Sequence, residues 1–349
     1  MHFSLNPLTQ RKLQRFRSIK RGFWSFLILS ILLLAAAAGE LLINSRALVV
    51  KYQGHYYFPT YTAFHPGTVF GENYSYESNY RQLKVRFARE RQGNWVLMPP
   101  VPFNPIENDF PPGIFPPTRP SLAEWHYLGT DTTGRDVLAR LFYGFRIAMV
   151  FSLLFMALVY LIGVTVGCAM GYFGGTFDLL AQRVVEIWSN IPFLYIVIII
   201  ASILTPNLGV LLAVVVLFSW TGMTYYMRTV TYREKARDYV AAAQVLGAST
   251  SRIIFQHILP NSLSTIVTFI PFTLASATTL LTALDFLGFG LPPPTPSWGE
   301  LLHQGTSNLQ APWIVTSTFL ALVFVLSLAT FIGEAIREAF DPKKFTIYK

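Results

Sequence analysis

His55, His65 and His126, with Asp131 and Asp136, are the residues of this 349-residue chain that could gather around a metal ion. Structural metal sites draw paired ligands from neighbouring turns, and these separations match no such spacing, so isolated loop histidines describe them better. Glu107, Asp109 and Glu124 could supply carboxylates for acid–base work, yet they form no convincing pair, and no serine or cysteine nucleophile motif accompanies them. Gly171-Tyr-Phe-Gly-Gly175 has the glycine content of a phosphate-cradling loop. A lysine followed by serine or threonine, which would reach the phosphates, is missing, so the segment fits a helix end. Asp285, closing an apolar run, could pair along a translocation path or cap an interface. The single Cys168 excludes an intrachain disulfide. These residues point away from an enzyme and toward the elements that surround them.

Those elements are apolar. The chain is 52% hydrophobic and 13% charged, with a positive mean hydropathy, which places it in a membrane. The net charge of +9 would suggest nucleic acid in a soluble protein. Here the cations flank apolar runs, where lipid headgroups and topology account for them and no nucleic-acid partner is needed.

Six spans are expected. The first covers 22–43, after a tail (1–21) carrying Arg11, Lys12, Arg15, Arg17, Lys20 and Arg21. It is too long for a signal-peptide core and lacks a small-residue cleavage pattern, so it reads as a retained anchor. The second covers 147–172, with Gly163, Gly167 and Gly171 aligned on one face for close helix contact. Residues 187–227 carry no charge and exceed one span of about 20 residues. Turn chemistry at Thr205-Pro-Asn-Leu-Gly209 divides them into the third and fourth. The fifth covers 262–284, with a kink expected at Pro271, and the sixth covers 313–332.

An even number of spans returns both ends to one side. The positive-inside rule assigns the N-terminal tail, the 228–261 loop and the C-terminal tail (335–349) to the cytoplasm. The loop 291–312, without lysine or arginine, falls outside. The segment 44–140 also falls outside. Its Lys51-Tyr-Gln-Gly-His-Tyr-Tyr-Phe-Pro-Thr-Tyr stretch is aromatic and strand-like, Trp95-Val-Leu-Met98 is a further short apolar patch, and nine prolines lie between Pro99 and Pro120. A small outer insertion of mixed, irregular structure is expected.

The cytoplasmic loop is the most ordered polar segment. Asp238 can cap a helix whose body is Tyr239 to Leu246, too short to cross a membrane. Gly247 offers a left-handed stop, and Ser249 or Thr250 can cap a second helix carrying Arg252 and His257. Pro260-Asn261 is expected to close the unit before the next span. This order, through Gly247 to Ile258-Leu259-Pro260-Asn261, resembles the EAA loop of importer-type ABC permeases, the piece that fits a groove of the ATP-hydrolysing subunit. Ala241 stands where that motif carries a glutamate, so a charge contact drawn there is absent.

Two further blocks carry the same resemblance. Gly129-Thr-Asp131 with Gly134-Arg-Asp136, and Asp285-Phe-Leu-Gly-Phe-Gly-Leu-Pro-Pro-Pro-Thr-Pro-Ser-Trp-Gly-Glu300, are similar to the peptide and nickel branch. So is the ending Gly333-Glu-Ala-Ile-Arg-Glu-Ala-Phe-Asp-Pro342. The outer insertion is similar to permeases of the microcin C and oligopeptide type. The resemblance implies an all-α membrane protein with the six-helix type I importer fold, its core over 141–334, in the bacterial inner membrane. It implies a heterodimer with a second permease chain, two ATP-binding subunits, an extracytoplasmic peptide-binding protein, and no cofactor. It implies a cargo of peptides or peptide-like compounds, microcin C-type antibiotics among them, with dipeptides or nickel as alternatives. The ATPase-coupling residues carried over are Asp238, Tyr239, Ala242, Ala243, Leu246, Gly247, Ala248, Ser249, Arg252, Leu259 and Pro260. From other classes, a membrane-anchored hydrolase lacks a nucleophile motif and a channel lacks a filter-like sequence.

Overall fold

The computed structural model describes residues 7–109 and 113–340. Pro111 and Pro112 and the ending beyond Phe340 lie outside these residues. Helix α1 (Pro7–Ser18) leads into α2 (Lys20–Ala37), and a short α3 (Gly39–Leu42) completes the first expected span. The next long helix, α5 (Val137–Phe173), begins before the expected residue 147. Asp136 starts it, its carboxylate accepting the Ala139 N–H at 2.7 Å. Arg140 and Arg146 therefore lie within the helix. Arg140 is fully buried against acidic and carbonyl partners, so its charge does not mark a helix boundary.

The third span departs further from expectation. α6 (Gly175–Ser189) and α7 (Phe193–Ile203) are bent by 63° about Asn190-Ile191-Pro192. Proline restricts the residue before it and cannot donate to the preceding turn, so the helix stops at Asn190. Five described helices are long and apolar enough to cross a membrane, and a sixth if this bent pair is one span. α8 (Leu208–Lys235) follows the expected turn, capped by the Asn207 side chain accepting from Val210 at 3.0 Å. α9 (Asp238–Val245), α10 (Thr250–Arg252) and a π-helical turn, Ile253–Ile258, then lead straight into α11 (Leu259–Phe286). Pro260-Asn261 does not close the loop unit. A proline in a helix removes an N–H and crowds the carbonyl of the turn before it, and the wider π turn accommodates both. α12 (Trp298–Ser307) and α13 (Pro312–Phe340) complete the bundle.

The glycine face of α5 governs the packing. A Cβ at Gly163 would meet Met223 Cβ at 2.7 Å, one at Gly167 the Thr224 carbonyl at 2.5 Å, and one at Gly171 the Arg228 carbonyl at 2.6 Å. α5 and α8 thus approach backbone to backbone, as small residues permit in lipid. At one end of the bundle Gly22 packs on Ala335 and Arg21 pairs with Glu334 at 3.3 Å. The α8–α11 loop lies at this end, because α5 and α8 both terminate there, with Lys235 Nζ donating to the Tyr172 carbonyl at 2.6 Å.

The insertion lies at the opposite end. Its three-stranded antiparallel sheet has the order β2-β1-β3, with β1 (Val49–Tyr52) central to β2 (His55–Tyr57) and β3 (Trp95–Leu97). β1 and β2 overlap the expected strand-like stretch, and the apolar patch at Trp95 supplies β3. The helix α4 (Tyr80–Glu90) was not expected; Asn79 caps it, accepting from Arg81 and Gln82 at 3.2 Å. Val50, Phe70, Tyr80, Leu83, Phe87 and Val96 form a small core of its own.

Replacing Gly167 with valine is expected to cost about 1–3 kcal/mol through overpacking. Gly222→Ala, with no atom within 4 Å of the added methyl, is expected to be neutral. Thermal melts of the purified protein in detergent check the contrast, and equal melting points for both variants would contradict the seam.

Candidate functional site: the short helix between α8 and α11

α9 is held by its termini and by one face. Its N-cap is Arg237, and Asp238 is the first helical residue, making no side-chain cap bond. Asp238 still favours the helix, as an anion in the first turn faces the positive end of the helix dipole. The body ends at Val245, with Leu246 as the C-cap. Gly247 then adopts φ +77°, its N–H donating to the Gln244 carbonyl and the Ala248 N–H to that of Ala243, both at 3.0 Å. This pair of bonds is a Schellman stop, and only a residue at ease with positive φ completes it. Ser249, not Thr250, caps α10, accepting from the Arg252 N–H at 3.4 Å.

Burial sorts the expected coupling residues. Val240 and Ala243 are buried with Ile253 and Ile258, against half-buried Tyr172, Tyr239 and Ala248. Ala243 therefore anchors α9 rather than presenting itself, because its position faces the π turn. Asp238, Ala242, Gly247, Ser249, Arg252 and Pro260 are exposed, Leu259 is half-buried, and Leu246 is 86% exposed. Val245 at 88% and Phe255 at 59% join this surface, and neither was expected there. Val245 could have been found, since it follows Ala241 and Ala242 at helical spacing on the same face. Phe255 could not, because its direction depends on the π turn. Tyr239 donates to Glu234 at 3.2 Å, and burial, then the nearby Glu234 carboxylate, pushes its hydroxyl pKa up. The site exposes a small-faced, largely apolar helix outside the spans.

At the far end, the Asp131–Asp136 block binds the insertion to the bundle. Asp131 Oδ1 accepts from the N–H groups of Thr133 (2.9 Å) and Arg135 (3.0 Å), while Oδ2 meets Arg135 Nε at 2.7 Å. Arg135 and Arg140 share Glu300 of α12, and Arg140 donates to the Pro105 carbonyl at 2.9 Å. His126 is stacked on Phe103 with ring centres 4.1 Å apart, its Nδ1 2.8 Å from Asp136 and its Nε2 3.7 Å from Asp109. His55 and His65 do not join it, and among the described residues no group of three or more such side chains could hold a metal. Asp285 accepts from the Leu291 N–H at 2.7 Å and from Ser297, so it folds its own loop rather than pairing along a path. Gly174 and Gly175, at φ +65° and +53°, form the expected helix end.

Between α5, α8 and α11 lies a groove of about 350 Å³ lined by Phe155, Tyr160, Ser219, Tyr226, Thr273 and Ser276 among others, with no charged side chain.

Burial lowers the His126 pKa, but Asp109 and Asp136 outweigh it and raise it from 6.5 to about 9. A group whose folded pKa is raised contributes stability that is complete below its unfolded pKa and lost as pH climbs through the folded one. The melting temperature is therefore expected to fall between pH 6.5 and about 9. His126→Gln should flatten that slope in a melt series, and an unchanged slope would contradict it.

Comparison with known proteins agrees with this arrangement. Residues 163–346 match the family described as binding-protein-dependent transport system inner membrane component. The chain is 42% identical to the inner membrane ABC transporter permease protein YejE of Escherichia coli, over 97% of this chain and 98% of that protein. It is 39% identical to the peptidoglycan transport system permease protein YejE of Agrobacterium fabrum, over 97% and 94%. It is 35% identical to the dipeptide transport system permease protein DppC of Haemophilus influenzae, over 71% and 85%. A protein with several membrane-spanning helices, a family match across more than half its length and relatives aligned along nearly all of it belongs to the binding-protein-dependent transport system inner membrane components, the permease family of ABC importers.

Proposed function

We propose that this chain is the permease subunit of an ATP-driven importer of peptides or peptide-like compounds, with α9 docking its ATP-binding subunits. The observation that carries the docking role is the exposed face of Val245, Leu246 and Phe255, held outside the spans by buried Val240 and Ala243. Ala241, where the family motif has a glutamate, leaves this contact to shape and apolar area. The coupling residues are Asp238, Tyr239, Ala242, Leu246, Gly247, Ala248, Ser249, Arg252, Leu259 and Pro260, with Ala243 acting from beneath. Ligands shift two conformations only by gripping them unequally, and α9 is where the nucleotide-driven subunits would do so. Both termini and this loop would face the cytoplasm. The insertion would face the binding protein on the other side, with a second permease chain completing the pore.

The peptide cargo is supported by relatives named for peptidoglycan and dipeptide transport. The uncharged groove between α5, α8 and α11 also favours it. Hydroxyls and aromatic rings suit peptides, whereas nickel would want nitrogen or carboxylate ligands. Uptake by a deletion strain complemented with this chain, offered a peptide panel, a toxic peptide conjugate and nickel, tests the cargo. A growth effect restricted to nickel would overturn it. Labelling of Glu90→Cys from outside and Val245→Cys from inside tests the orientation, and the reverse accessibility would sink it.

Gly247→Val places a β-branched residue at φ +77°, where no neighbouring atom lies within 4 Å of the added Cβ. The strain is about 1–2 kcal/mol and falls on the backbone alone. The variant is expected to insert normally while uncoupling ATP hydrolysis from uptake. Normal uptake would remove Gly247 from the coupling role.

A further inference from the structure

α6 is a thinly anchored helix. Of its residues only Asp178 and Val185 are buried, while Phe177, Leu179, Leu180, Val184 and Ile187 are all exposed. Asp178 is held by two groups of α8. Arg228 grips it with both arms of its fork, Nε at 2.5 Å and a terminal nitrogen at 2.6 Å. The Tyr232 hydroxyl donates to the same carboxylate at 2.6 Å, and its ring lies 5.2 Å from the Arg228 guanidinium. Bidentate, charge-assisted bonding of this kind fixes direction as well as distance. At the other end of α6, Trp188 Nε1 donates to the Leu217 carbonyl, again on α8, at 2.8 Å. The corner joining α5 to α6 is Gly174-Gly175, both at positive φ, so the backbone there tolerates a change of angle.

α8 in turn runs into α9 with only Ala236 and Arg237 between them. Glu234, one turn before, receives the Tyr239 hydroxyl of α9 at 3.2 Å. The Asp178–Arg228–Tyr232 cluster and the Glu234–Tyr239 bond thus sit on the last turns of α8, which join the bent pair α6–α7 to the short helix. Nothing in the docking surface itself requires Asp178, which lies on a different helix from α9.

We infer that Asp178 is a positioning residue for coupling: through the Arg228 fork and Tyr232 it ties the broken span α6–α7 to the α8–α9 junction, so that a displacement of α9 also moves the broken span. This rests on the reading that α9 docks the ATP-binding subunits. Without the tie, α9 still binds and hydrolysis continues, but the broken span no longer follows.

The test uses the assembled transporter in proteoliposomes, with a peptide accepted in the uptake panel. Asp178→Asn keeps the shape and removes the charge. It is expected to retain the ATP-binding subunits and hydrolysis while uptake per ATP falls roughly five-fold or more, the lower end of ordinary coupling effects. Arg228→Lys, which keeps the charge and loses the fork, is expected to fall between that variant and the unaltered protein. A cargo-independent readout uses spin labels at Tyr195→Cys on α7 and Gln244→Cys on α9, both exposed and neither in the docking face, while the native Cys168 is buried. The ATP-dependent change in their separation should shrink in Asp178→Asn. An unchanged uptake-to-hydrolysis ratio, whether both activities persist or both drop with the amount of folded protein, would overturn the inference. Leu246→Asp separates the two claims. If it leaves the ATP-binding subunits attached, the docking reading itself fails. If it releases them while Asp178→Asn keeps the ratio, only the tie fails.

Discussion

Close approach of α5 and α8 along Gly163, Gly167 and Gly171 sets the geometry on which the other contacts depend. In lipid, helices gain nothing from hiding apolar surface from one another, so association depends on packing and on buried polar bonds. Three missing side chains bring two backbones together. The seam then carries the C-terminal ends of both helices to the same depth. Lys235 can reach the last carbonyls of α5, Tyr172 can support the cluster beneath α9, and Arg228 can reach Asp178 on the helix that follows α5. The outer surface of the bundle needs no such specificity, and Ile31, Leu34, Phe319 and Leu320 stand exposed along it.

The two ends of the bundle are built by different physics. At the insertion end, Asp131, Arg135, Arg140 and Glu300 bury charges at a depth where each needs a partner. Removing one partner there would leave an uncompensated charge, so the cluster is all or nothing. It joins the insertion, the start of α5 and α12 into one piece. At the other end, α9 is held by a handful of apolar contacts, the Tyr239–Glu234 bond and its C-terminal stop, with most of its surface left open.

Several features were legible from sequence because they are local. The turn at Thr205-Pro-Asn-Leu-Gly209, a cap at Ser249 or Thr250, Gly247 as a left-handed stop and the glycine face of α5 each follow from residue type and spacing within a turn or two. The first outer strands were legible from an aromatic run, although α4 was hidden by its polar composition, YRQLKVRFARE, which lacks an apolar run.

What only the tertiary structure decided was the meaning of charge and proline. Arg140 lies before the span expected from residue 147 and proved to be inside α5, where Glu300, distant in sequence, pairs with it. Pro260 looked like a terminator and proved to sit within a continuous helix, because the π turn before it absorbs the missing bond. Pro192, within an uncharged run, broke the helix that composition read as a plain span. Ala243 and Leu246, nearly adjacent and both apolar, separate into an anchor and an exposed contact according to what packs beneath them. Residue type determines local backbone preference and membrane affinity by itself; which polar groups can be buried, and which prolines can be absorbed, depends on partners that only the folded chain brings into reach.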